Sequence, residues 1–163
     1  MVNTIKGRVM NILGEKLRAG KAEREWFRSL LDVVIECFPM AASVPWVINP
    51  RLSRALGHCK ATPGGECFQI SINEDFLCRC YRREVLGQPA AAWSRHGGLI
   101  DTMVHEAAHL LHFNHGAHFR LANWELNKLV KARLAGRGPA ALAAALVAQA
   151  KKPASARQGE LVF

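Results

Sequence analysis

The chain has 163 residues, 50% of them hydrophobic and 21% charged, with 22 Lys and Arg against 13 Asp and Glu for a formal charge of +9. That length suits one compact domain with a short appendage, and the balance excludes wholesale disorder and collagen-like structure. No apolar run reaches roughly 18 residues and the first segment mixes charge with apolar side chains, so neither a membrane span nor a secretory leader is expected.

In chain order, residues 4–19 and 21–38 read as two helices: Trp26, Leu30, Val33, Val34 and Cys37 recur at helical spacing, and Gly20 and Pro39 punctuate the ends. Residues 44–73 read as a small antiparallel sheet. In its last strand, CFQISIN, Phe68, Ile70 and Ile72 alternate with Gln69 and Ser71, and PGGE supplies the preceding turn. Asn73 is a helix start for residues 74–83, and GQPAAAWSRHGG is a loop. Five cysteines, Cys37, Cys59, Cys67, Cys78 and Cys80, are irregularly spaced and read as reduced thiols of a cytoplasmic protein. A second metal site from Cys59, Cys67, Cys78 and Cys80 is disfavoured by the Cys78-x-Cys80 spacing.

The stretch from Leu99 to Phe113 reads as one amphipathic helix. Ile100, Met103, Val104, Ala107, Ala108 and Leu111 form its apolar stripe, and His105, His109 and His112 lie opposite. Asn114-His115-Gly116 then breaks the helix before another over His118–Leu134. From Pro139 to Ala156, Ala fills nine of eighteen positions, an Ala/Lys-rich tail with a short helix expected over 140–150.

His105-Glu106-Ala107-Ala108-His109 is an HExxH string. Residues four apart stand one helical turn above each other, so two imidazoles can converge on one ion, while Glu106 sits roughly 60° around the helix from His109. It can reach a metal-bound water without ligating the metal. A catalytic zinc site needs a third protein ligand, and His112, His115 and His118 follow at once. His112 continues the helix, its Cα about 10 Å along the axis from His105, too far for a shared ion with bonds of about 2 Å. A side chain returning after a break reaches the open side, and Asn114 and Gly116, which tolerate left-handed backbone, bracket His115. His115 is therefore the third candidate, with His118 at the rim or in solvent and His58 and His96 unassigned. HExxH also occurs by chance in helices; the polar-face position and the following break favour a metal.

The strings HEAAH and NHGAHF resemble the SprT-like zinc metalloproteases, whose pattern is HExxH followed by a third histidine in an HGxxF turn. The upstream segment VINPRLSRALGHCKATPGGECFQISIN is similar to that family's strand region, so the resemblance spans about residues 22–134. It implies an α+β, zincin-like domain over residues 1–136, with a small antiparallel sheet packed against helices, followed by a basic tail over 137–163. It also implies Zn2+ as cofactor, His105, His109 and His115 as its ligands, Glu106 as the catalytic glutamate, and Gly116 and Phe119 as the turn. The chain departs from many members in having no cysteine after Cys80, hence no CxxC zinc ribbon.

The activity so implied is peptide-bond hydrolysis on protein substrates. Such a protease holds its substrate extended, and CFQISI is the candidate edge strand. The family acts on proteins crosslinked to DNA, and Arg51, Arg54, Arg79, Arg82, Arg83 and the tail's Lys151, Lys152 and Arg157 make DNA a candidate partner. Trp46, Trp93 and Trp124 could stack on bases, although core or interface roles suit their spacing better. Two other functions fit the same residues. The short spacing to His115 also resembles the YgjP-type metal-dependent hydrolases, and a DNA-binding or adaptor protein could keep a zinc site without turnover. A monomer in a bacterial or phage-infected cytoplasm, with no membrane partner, completes the expectation.

Overall fold

The computed structural model describes residues 18–89 and 97–137. Its elements are α1 (Lys21–Cys37), a 3-10 turn (Pro39–Ser43), β1 (Trp46–Asn49), β2 (Gly57–Ala61), β3 (Cys67–Asn73), α2 (Glu74–Glu84), α3 (Leu99–Ala108) and α4 (Ala117–Arg137). The class is α+β, four helices with a small three-stranded sheet. The expected helix over 140–150, Trp93 and His96 lie outside the described residues. So does the helix over 4–19, apart from Arg18 and Ala19, which are not helical. No helix among the described residues is long and apolar enough to cross a membrane.

The sheet is mixed, not antiparallel. Its order is β1-β3-β2, with β1 parallel to β3 (Trp46 opposite Ile70, Asn49 opposite Asn73) and β2 antiparallel to it. This makes CFQISI the central strand, so it offers no edge to a substrate. Both its faces are covered: Ile70 and Ile72 are buried, and so are Gln69 and Ser71, whose side chains satisfy each other through Gln69 Nε2 donating to Ser71 Oγ at 3.0 Å. Phe68, expected on the inner face, is exposed. Pairing on both edges satisfies its backbone, while the mutual hydrogen bond removes the penalty for burying the polar pair.

α1 carries Trp26, Phe27, Leu30, Leu31, Val33 and Val34 on one buried face, and the Phe38 N–H bonded to Val34 O closes its last turn before Pro39. Burial of each such side chain contributes about 1.5–3 kcal/mol. Trp46 crosses to the 3-10 turn, its Nε1 donating to Ala41 O at 2.8 Å. Asn73 joins sheet to helix: its Oδ1 accepts from Phe76 N as the cap of α2, while its Nδ2 holds the carbonyls of Leu52 and Ala55 in the β1–β2 connection.

The hairpin between β2 and β3 turns at Gly65, whose φ of +83° only glycine adopts without strain. A register shift at Lys60 and Ala61 brings Cys59 and Cys67 to a Cα separation of 6.1 Å, and they form a disulfide. The expectation of reduced thiols therefore holds for Cys37, Cys78 and Cys80 and fails for this pair, which the irregular hairpin, not the spacing along the chain, brings together. The disulfide also removes two donors from the four-cysteine metal site.

Candidate metal centre

α3 begins with Gly98 N bonded to Asp101 Oδ2 at 2.9 Å, and the same carboxylate pairs with Lys131 of α4, fixing the two helices to each other. Leu99, Met103, Val104, Ala107 and Ala108 are buried, leaving His105 and His109 one turn apart at the edge of the buried face. The helix ends at Ala108 instead of continuing to Phe113. Leu110, Leu111 and His112 bond back to Ala107 and Ala108 in tight turns, and Leu111 is exposed. His112 is thus off the helix.

The chain then returns through Asn114-His115-Gly116. Positive φ among the described residues is confined to Gly65, Gly87 and Gly97, so neither Asn114 nor Gly116 uses the left-handed region expected of them. The reversal is made by Gly116 N bonding to Asn114 O and by α4 starting at Ala117. It brings His115 back over α3: His115 Nε2 lies 3.0 Å from His105 Nε2, and one ligand atom from each of His105, His109 and His115 lies within 4.8 Å of the others. Nitrogens about 2.05 Å from a common tetrahedral ion lie about 3.3 Å apart, so the trio could hold a metal ion. Among the described residues no other group of three or more His, Cys, Asp or Glu does so.

Two contacts orient the ligands. Phe119, nearly fully buried in the first turn of α4, packs against all three imidazoles, with centroid distances of 4.9 Å to His105, 4.5 Å to His109 and 4.7 Å to His115. His109 Nδ1 lies 3.2 Å from the carbonyl of His112, so a ring donating there leaves Nε2 as the atom that could take a metal. His112 therefore acts through its backbone. Its ring and that of His118 pair on the exposed side, 5.8 Å apart and outside the trio.

Burial holds His105 down to about 4, with His109 and His115 reinforcing it, and burial likewise lowers His109. These two imidazoles are thereby kept neutral, the form that ligates a metal. Glu106 is only 6% exposed, and burial pushes its carboxyl up to about 7, against the opposing backbone N–H of Cys59.

β2 contributes what the motif alone did not reveal. Gly57 faces Glu106 so closely that a Cβ there would lie 2.6 Å from its Cγ and 2.7 Å from its Oε1. A glycine inside a strand is the signal of such an approach. The exposed His58 stands between Gly57 and Cys59.

The basic clusters are partly engaged: Arg79 pairs with Asp75, Arg83 with Glu84 and Arg133 with Glu36. Trp46 is buried, whereas Trp124 is 60% exposed with Lys128 Nζ 5.3 Å from its ring centroid. No family model, curated protein or solved structure matches this chain.

Proposed function

We propose that the protein is a zinc-dependent endopeptidase of zincin-like, SprT-type fold, with His105, His109 and His115 as ligands and Glu106 as general base. The observation that carries this reading is the convergence of three imidazoles, two of them lowered by burial, beside one buried carboxyl raised to about 7. A zinc ion held by His105, His109 and His115 would supply Lewis acidity for activating water and polarising a substrate carbonyl.

Glu106 takes a proton on its carboxylate and returns it to the departing amine, and a value near the working pH suits both transfers. Gly57 leaves room for that side chain against β2, and the Cys59 N–H fixes its direction. No Ser or Cys nucleophile is required. Among the described residues β2 pairs only with β3, so its outer edge, beside the metal centre, is free to align an extended peptide.

DNA-associated proteins are the substrates we favour. The exposed Trp124 with Lys128 beside it supports a stacking platform, although the pairing of Arg79 and Arg83 weakens the α2 cluster as a phosphate site. Phosphate contacts require DNA affinity to fall steeply with salt, and absence of binding at low ionic strength would remove DNA from the proposal.

The deciding experiment is casein and histone cleavage, with and without DNA, by the wild type and by Glu106→Gln. The variant is expected to retain metal and lose about 10³-fold in kcat/KM. Equal proteolysis by both proteins would eliminate the peptidase reading.

A further inference from the structure

The turn between α3 and α4 carries a second pair of imidazoles that the metal centre does not use. His112, just past the end of α3, and His118, in the first turn of α4, are both exposed. Their rings stand 5.8 Å apart, centre to centre, at an interplanar angle of 33°. Among the described residues neither ring is engaged by a hydrogen bond or an ion pair.

That separation suits two ligands of one ion. An imidazole nitrogen about 2.05 Å from an ion puts its ring centre about 3.2 Å away, so two rings at a tetrahedral angle lie about 5.2 Å apart and two on opposite sides about 6.4 Å. His112 and His118 fall between these limits, and the three rings of the trio, at 5.1, 5.0 and 4.8 Å, lie near the tetrahedral end. The broad χ2 preference of histidine lets an exposed ring turn at little cost, which brings one nitrogen of each to a common point. The backbone on either side is already tied down. His112 N bonds to Ala108 O, the His112 carbonyl lies 3.2 Å from His109 Nδ1, and Arg120 N bonds to Gly116 O at the start of α4. Little loop-closure entropy is left to lose when an ion joins the two residues.

We propose that His112 and His118 form a second, weaker site for a transition-metal ion such as Zn2+, with water completing its coordination, and that this ion clasps the turn carrying His115. Imidazole suits Zn2+, Ni2+ and Cu2+, whereas Mg2+ and Ca2+ prefer oxygen ligands. Two donors hold an ion less tightly than the three of the trio, and no further His, Cys, Asp or Glu among the described residues joins the pair. An ion bound there links the residues on either side of Asn114-His115-Gly116 and so restricts the segment from which His115 projects. The site needs only these two side chains and does not rest on peptidase activity.

The test uses the full chain with nitrogen-15-labelled histidine, given one equivalent of Zn2+ and then titrated with more. Further zinc is expected to bind at least about tenfold more weakly than the first equivalent and to shift the ring resonances of His112 and His118 together, while Mg2+ shifts neither. This measurement on the wild type needs no variant to fold. His112→Ala and His118→Ala, both at exposed positions, should each abolish the paired shift and lower the affinity for the second equivalent at least about tenfold by calorimetry. His115→Ala should weaken the first equivalent and preserve the response of His112 and His118, so failure of the trio and failure of the pair are read apart. Rings of His112 and His118 that do not shift in excess Zn2+, or a second equivalent whose affinity neither alanine variant changes, overturn the proposal.

Discussion

Two buried glutamates divide this molecule. Glu106, on α3, faces a glycine and one backbone N–H, beside the imidazole cluster; Glu74, at the start of α2, accepts from the backbone N–H of Ala19 with Arg18 nearby. Both are almost fully removed from solvent. The difference is in their partners. Glu106 lies where a proton can be gained and lost, which suits chemistry, whereas Glu74 holds the backbone N–H just before α1 against the start of α2, which suits anchoring. Burial alone does not assign a carboxylate its role.

That contrast can be broken most forcibly at the metal. His109→Ala removes the most enclosed of the three proposed ligands together with its bond to the His112 carbonyl, and is expected to weaken zinc binding by about 10³-fold or more, as metal analysis after dialysis would show. Chelation of the wild type should abolish cleavage and leave the Glu74 region unchanged. Retention of stoichiometric zinc by His109→Ala would contradict the ligand set.

Phe119→Ala should cost about 3 kcal/mol in unfolding free energy by urea titration, because it leaves a cavity beneath three rings at once. It should also weaken metal binding, which an ordinary core truncation remote from the site would not. Gly57→Ala addresses the proposed general base alone. Its new methyl group would displace Glu106, and a displacement of about 1 Å lowers kcat by about 10²-fold with zinc content unchanged. Unaltered kcat in this variant would mean that Glu106 does not work from the position against β2.

The smallest expected effect is the pH dependence of the metal-free protein. Glu106 has a folded-state value of about 7, above the ordinary carboxyl value of 4.5, so the fold binds a proton there that the unfolded chain releases. Its contribution is complete below about pH 4.5 and is lost as pH rises through about 7. Glu106→Gln should therefore gain on the wild type by about 2 kcal/mol between pH 5 and 8, followed by thermal unfolding in the presence of chelator. His105, lowered to about 4, acts with the opposite sign as pH falls from 6.5, but it is common to both proteins and cancels.

Much of this was readable along the chain because it is local. The 3.6-residue spacing of Trp26, Leu30, Val33 and Val34 marks α1, Asn73 caps α2, and His105 and His109 stand one turn apart wherever a helix forms. His115 could be singled out because only a ligand beyond the helix break can return. The same local reasoning overran at Phe113, since an apolar stripe does not show where helical hydrogen bonding stops. It also credited Asn114 and Gly116 with a left-handed turn that they do not make.

What the amino-acid order determined by itself is the set of groups: two imidazoles and a carboxylate on one helix, a third imidazole past its end, and strands of apolar alternation. Only the tertiary structure decided that β1 runs parallel to β3, that Cys59 meets Cys67, that Gly57 receives Glu106 and that Ala19 seeks Glu74. Helix periodicity is set by backbone geometry over a few residues, whereas each of these pairings joins residues brought close by the hairpin or by packing between elements. No spacing encodes such a contact, because loop closure depends on which buried surfaces fit once all the elements are assembled.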